Sequence, residues 1–126
     1  MRYYDFDIDR EKRLIKVKLW GFWNQRIAED YYKDFEIAIH PLLGSKWSRI
    51  VDINEYKSSS IKVADVLDRQ LEWAKEKKME FNVNILGDLF ERLQLKSKLA
   101  SNNQSKQNLV FGSIEEALKW LSEQGY

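Results

Sequence analysis

Strand and helix patterns alternate along this chain of 126 residues, beginning after a short N-terminal hairpin and continuing to the last residues. The predicted strands cover residues 14–20, 48–53, 81–86 and 109–111, and the predicted helices cover residues 24–39, 61–78, 88–100 and 113–124. Repeated βα units form a mostly parallel sheet covered by helices, and ligands of such sheets usually bind at the carboxyl ends of the strands. The sequence therefore predicts a single α/β domain over residues 1–126, with one mixed, mostly parallel sheet.

The N-terminal segment has the period-two pattern of strands with one wet face. Apolar and charged residues alternate in both halves: Tyr4, Phe6 and Ile8 with Asp5, Asp7 and Asp9, then Ile15, Val17 and Leu19 with Lys16 and Lys18. Because the connection over residues 9–13 is short, we expect an antiparallel hairpin in which the acidic face of one strand lies beside the lysines of the other.

Helix ends are marked by capping signals. These are Asn24 at the start of the first helix, Pro41 after its end, Asp88 with Glu91, Ser113 with Glu116, and Gly125 after the last helix. Each residue type satisfies or terminates a helix end in a known way, so the signals predict helix boundaries rather than chemistry.

The second helix has an apolar face wider than one sheet contact needs. Its predicted buried line consists of Ala64, Leu67, Leu71 and Ala74, and a neighbouring stripe consists of Val63, Val66 and Trp73. Aromatic stripes of this kind are packing surfaces, so the two alternatives for Trp73 are the core and a contact between two copies of the chain, which would form a homodimer.

Composition excludes several classes of function. The 21 basic and 20 acidic residues give a net charge of +1, so no global field attracts nucleic acid or an anionic membrane. The chain has no cysteine and only one histidine, His40, which excludes thiol chemistry and histidine-rich metal centres. The N-terminus lacks the pattern of a signal peptide, and no apolar run is long enough to cross a bilayer, so we expect a cytoplasmic protein without a transmembrane segment.

Catalytic material is sparse. Asp52, Glu55 and Asp88 follow or end predicted strands, where an acid and a base could meet, but spacing alone does not bring them together. A strand position and a helix cap explain Asp52 and Asp88. We therefore expect a protein that is not an enzyme and that needs no cofactor or metal.

The order and spacing of several motifs resemble a known family. They are the turn Gly21-Phe22-Trp23, the pair Tyr31-Tyr32, Trp47 before the strand over 50–53, the segment 71–73 and the closing segment 113–121. This arrangement resembles the STAS domain, the fold of bacterial anti-sigma factor antagonists, and most closely the uncharacterised SpoIIAA-like proteins of bacteria. The resemblance covers nearly the whole chain and implies a non-catalytic regulatory module that binds a protein partner.

The resemblance also implies a candidate phosphoacceptor. In antagonists of this type, a serine in an Asp-Ser-Ser/Thr-Gly stretch between the third strand and the second helix is phosphorylated and controls docking. The corresponding loop here contains Ser58, Ser59 and Ser60, without the aspartate before them or the glycine after them. A phosphate there would lie near a helix N-terminus, which favours anions; the alternative is that these serines only cap the helix.

Aromatic residues follow three of the predicted strands: Phe22 and Trp23, then Tyr56, then Phe90. In a parallel sheet these residues come to one edge, where they would line a binding region for a partner side chain or for an apolar small molecule such as a lipid. The first alternative is a protein-interaction module and the second is a carrier or sensor of a small molecule. The structural alternative is that Trp20 and Phe22 only cap the core.

Overall fold

The computed structural model describes residues 3–58, 60–101 and 107–126. The strands are β1 (Tyr4–Asp9), β2 (Leu14–Phe22), β3 (Trp47–Lys57), β4 (Met79–Ile85) and β5 (Asn108–Phe111). The helices are α1 (Gln25–Ala38), α2 (Ile61–Glu76), α3 (Leu89–Ser101) and α4 (Ile114–Glu123), and a 3₁₀ turn over His40–Leu42 follows α1. The predicted hairpin and the alternation that follows it are confirmed.

The strands form one mixed sheet in the order β1-β2-β3-β4-β5. β1 pairs with β2 antiparallel, with Asp5 opposite Lys18 and Asp7 opposite Lys16, whereas the other three pairs are parallel. Each strand therefore lies beside the strand that precedes it in the chain. As a result, the carboxyl ends of β2, β3, β4 and β5 lie along one edge of the sheet in sequence order.

Helices cover both faces of the sheet. α1 and α2 pack on one face, where the aromatic side chains of the hairpin and of α1 meet Val17, Val51 and Val66. α4 packs on the other face, where Ala117 and Leu121 contact residues such as Ile50 and Val83. The two cores are separated by the alternation of side chains along the strands.

α2 is rotated relative to the sequence-based prediction. Its buried residues are Val63, Val66, Gln70 and Ala74, and Ala64 is exposed. The predicted line was wrong at Ala64 because polar Gln70 interrupts the true buried stripe, and a pattern of apolar residues alone favours the adjacent one. Gln70 is tolerated inside because its side-chain carbonyl accepts a hydrogen bond from Arg49.

The predicted caps form. Asn24 Oδ1 accepts a hydrogen bond from the Ile27 amide at 2.9 Å, and Asp88 Oδ1 accepts one from the Glu91 amide at 2.9 Å. Ser113 Oγ caps α4 in the same way, and Gly125 has the positive φ of +102° that the end of a helix often requires.

Candidate functional site

β2 ends at the edge of the sheet where the carboxyl ends of the parallel strands lie, and Gly21 is its second-last residue. Gly21 has a φ of +81°, and a Cβ atom on it would lie 2.8 Å from the ring of Tyr3. Both the backbone conformation and the close ring therefore require glycine at this position. The next residues diverge, because Phe22 is exposed whereas the Trp23 amide donates a hydrogen bond to the Lys57 carbonyl at 2.9 Å and the chain turns inward.

Trp23 belongs to the core. Its side chain is 2% exposed, and its indole N–H donates to the Trp20 carbonyl at 2.9 Å. The centroid of its ring lies 5.4 Å from the ring centroids of Tyr31 and Tyr56. The sequence placed Trp23 in a binding region for a partner side chain or an apolar ligand. The structure instead favours core packing for Trp23, because an indole enclosed by these rings offers almost no surface to a ligand.

Tyr56 lies between the core and the surface. It is half-buried, with one side of its ring against Trp23. Burial raises the pKa of the Tyr56 hydroxyl, and a hydrogen bond with Ser58 partly opposes this shift. Tyr56 therefore joins the buried aromatic cluster to the serine loop.

Apolar side chains are exposed along the same edge. Phe22 ends β2, Ile61 follows β3, and Leu89, Phe90 and Leu93 follow β4; their exposed fractions are 67%, 80%, 61%, 69% and 55%. We call these five residues the apolar rim. Among the described residues, the other exposed large apolar side chains are Ile37, which is 69% exposed, and Ile114, which is 37% exposed. Exposed apolar residues are thus concentrated where ligands of parallel sheets bind.

The serine loop lies beside this rim. Ser58 is half-buried and its Oγ accepts a hydrogen bond from the Ser60 amide at 3.2 Å. Ser60 occupies the N-cap of α2 and is exposed, but its side chain makes no capping hydrogen bond. Ser59 lies outside the described residues. The capping position predicted from sequence is therefore present at Ser60, without the side-chain bond that usually accompanies it.

The three carboxylates considered for catalysis each have a local structural contact. Asp52 Oδ1 accepts hydrogen bonds from the backbone and side-chain nitrogens of Asn54, Glu55 lies 3.5 Å from Lys18 Nζ, and Asp88 caps α3. In the described part of the chain, no group of three His, Asp or Glu side chains could hold a metal ion. Among the helices of residues 3–58, 60–101 and 107–126, none is long and apolar enough to cross a membrane.

A buried polar cluster escaped sequence reasoning. Arg49 is 4% exposed, and its guanidinium donates to Asn82 Oδ1 and Gln70 Oε1, both at 2.8 Å, and weakly to the Tyr31 hydroxyl. Burial lowers the pKa of Arg49. One signal in the sequence could have predicted that Arg49 is buried. In β3 it lies two residues from both Trp47 and Val51, so its side chain is on the same face of the strand as these two core residues.

A shallow cleft lies on the opposite face of the sheet, between the hairpin and the start of α4. Its volume is about 350 Å³. Ile50, Ile85 and Ile114 contribute apolar surface, whereas Asp7 and Lys16 are among its charged residues. This volume lies in the range of small-molecule sites.

Comparison with known proteins identifies a structural relative. The chain is similar to an uncharacterised protein of the DUF3478 family from Shewanella loihica PV-4, which has a SpoIIAA-like fold: the TM-score is 0.71, the identity is 18%, and the match covers 96% of this chain and 95% of the other. No protein-family model matches the chain, and no curated protein matches it. The resemblance predicted from the sequence motifs is thus confirmed at the level of architecture, and this chain has a SpoIIAA-like fold.

Proposed function

We propose that this domain is a non-catalytic interaction module that binds a protein partner through the apolar rim. The observation that supports this most is the concentration of exposed Phe22, Ile61, Leu89 and Phe90 at the carboxyl ends of three adjacent parallel strands. Burying exposed apolar surface is the main favourable term in protein association, and aromatic side chains are frequent anchors at interface centres.

Phe22 and Phe90 are the anchors we expect a partner to cover. Each is about two-thirds exposed, so little of its surface is already used for packing within the domain. Lys57 and Asp88 are exposed beside them and supply the polar margin typical of interfaces. Binding at this surface requires no catalytic group, which agrees with the structural contacts of the three candidate carboxylates.

Photocrosslinking tests the proposed surface. A benzophenone amino acid is placed at Phe22, at Phe90 or at Ile37, and the protein is irradiated in cells that express it naturally. Ile37 is the matched control, because it is 69% exposed and lies near the end of α1 rather than in the rim. We expect one protein of definite mass to crosslink from Phe22 and Phe90 and not from Ile37. Equal adducts from all three sites, or none from the rim, would contradict the proposal.

Phosphorylation of the serine loop is proposed as the control of this docking. Exposed Ser60 and half-buried Ser58 precede α2, and Ile61 of the rim follows directly. A phosphate there places a double negative charge beside an apolar contact, which disfavours binding. We expect Ser60→Asp to lower the crosslinking yield from Phe90 severalfold and Ser60→Ala to leave it unchanged, with both variants as stable as the parent.

Mass spectrometry of the natively expressed protein provides the second part of this test. The peptide that contains Ser58, Ser59 and Ser60 should carry one phosphate in part of the population. If the peptide is never modified and Ser60→Asp crosslinks like the parent, these serines have no regulatory role.

A carrier or sensor of an apolar small molecule is the second candidate function. The cleft of about 350 Å³ with Ile50, Ile85 and Ile114 in its lining is the observation that favours it. Native mass spectrometry separates the two candidates, since a carrier would retain a ligand of definite mass. The same spectra count the copies per particle and so test whether the chain forms a homodimer, which is one of the two alternatives for Trp73.

A further inference from the structure

The buried Arg49 cluster determines how the amides around it are oriented. An arginine side chain donates hydrogen bonds and accepts none. Arg49 therefore draws the carbonyl oxygens of Gln70 and Asn82 toward itself, at 2.8 Å from its nitrogens in both cases. Reversing either amide would place an NH₂ group against the guanidinium, so each NH₂ group must point away from Arg49.

The orientation of the Asn82 amide also determines that of the Asn108 amide. Asn82 Nδ2 donates to Asn108 Oδ1 at 3.0 Å, which turns the NH₂ group of Asn108 outward in the same way. Asn108 is 3% exposed and Gln70 is 1% exposed, yet Asn108 Nδ2 and Gln70 Nε2 have no hydrogen-bond partner. A buried donor without an acceptor costs about 1–3 kcal/mol. Two such donors in one network therefore require an explanation.

A cleft opens at the end of this network. It lies between α2, α3 and the strands β4 and β5, has a volume of about 400 Å³, and is lined at its base by Asn82, Asn84 and Asn108. Leu71, Leu95 and Leu99 supply apolar surface. α3 covers one side of this cleft without burying any residue of its own, so few buried contacts hold this side closed.

The positive charge of Arg49 also lacks a negatively charged partner among the described residues. Within residues 3–58, 60–101 and 107–126, none of the ion pairs includes Arg49, and its hydrogen-bond acceptors are neutral amides and a hydroxyl. Buried charges are ordinarily paired. A negatively charged group that accepts from Asn108 Nδ2 would be linked to the guanidinium through three hydrogen bonds, by way of Asn108 and Asn82, and would partly offset its charge.

We propose that the cleft under α3 binds a small monocarboxylate with an apolar body. Its carboxylate would accept the hydrogen bond that Asn108 Nδ2 offers, and its apolar part would pack against Leu95 and Leu99. A single negative charge is preferred over a phosphate dianion, because exposed Asp68 and Glu72 line the same cleft and only Lys98 opposes them.

Titration of the isotope-labelled protein tests this site with three probes of one shape: benzoate, benzamide and benzylammonium. We expect benzoate to shift the side-chain NH₂ signals of Asn108 and the methyl signals of Leu95 and Leu99. Benzamide, which offers a neutral acceptor, should bind about tenfold more weakly, and benzylammonium should not bind there.

Two charge variants sharpen the test. Asn108→Asp replaces the free NH₂ group with a carboxylate oxygen, which removes the donor and repels an anion, so it should weaken benzoate binding about tenfold or more. Gln94→Glu adds the same charge at an exposed position of α3 and should leave benzoate binding unchanged. A cleft that holds only water would give no benzoate shifts in the parent protein, and this outcome would overturn the proposal. So would benzylammonium binding as tightly as benzoate. Neither result bears on partner binding at the apolar rim.

Discussion

Replacing Arg49 with alanine should lower the free energy of unfolding by about 3–5 kcal/mol. The substitution removes the donors that satisfy Gln70 Oε1 and Asn82 Oδ1, both of which lie in buried side chains. It also leaves a cavity beside Phe35, whose ring lies 5.2 Å from the guanidinium carbon. Urea unfolding followed by tryptophan fluorescence measures the change.

Two further substitutions separate the causes of this loss. Arg49→Met keeps most of the side-chain volume and removes the donors, so it should recover part of the loss attributed to the cavity. Arg49→Lys keeps the charge but cannot reproduce the planar geometry that reaches two amide oxygens at once, so it should remain destabilised. An alanine variant within about 1 kcal/mol of the parent would mean that the network contributes little to stability.

Replacing Trp23 with alanine should cost about 3–5 kcal/mol of unfolding free energy. The indole is 2% exposed and donates a hydrogen bond to the Trp20 carbonyl. Its ring centroid lies within 6.0 Å of the ring centroids of Tyr4, Tyr31 and Tyr56. The neighbouring Phe22→Ala is the matched control, because that ring is 67% exposed and its loss should change stability by no more than about 0.5 kcal/mol.

Thermal unfolding of both variants checks this pair. A Phe22 variant as unstable as the Trp23 variant would show that Phe22 is a packing residue and would remove it from the apolar rim. Trp23→Phe retains most of the ring contacts and loses the N–H donor, so an intermediate loss is expected.

Most of the architecture could be predicted because local signals and global fold agree. The alternation of Asp5 and Asp7 with apolar residues, and of Lys16 and Lys18 in the next strand, predicted the antiparallel pairing that the sheet shows, with aspartates opposite lysines. Caps such as Asn24 act within one turn of helix, so their effect is readable from neighbouring residues alone. The order of the parallel strands depends on crossovers and had no such local signal.

The candidate site was less predictable because exposure is a tertiary property. Phe22 and Trp23 are adjacent aromatic residues, yet one is exposed and the other is enclosed by side chains from β1, α1 and β3. The Arg49 network joins β3, α2, β4 and β5 through residues up to 33 positions apart in a single hydrogen bond. No periodic pattern marks such a network, since each of its members interrupts an apolar stripe.

The affinity of the partner captured by crosslinking, measured by titration calorimetry against three forms of the domain, tests the central claim most directly. The forms are the parent, Phe90→Ser in the apolar rim and Ile37→Ser on α1. We expect the rim substitution to weaken binding about tenfold or more, because a buried aromatic anchor often contributes about 2 kcal/mol or more, and we expect the α1 substitution to leave the affinity unchanged. Unchanged affinity for Phe90→Ser, or an equal loss for Ile37→Ser, would contradict binding through the rim.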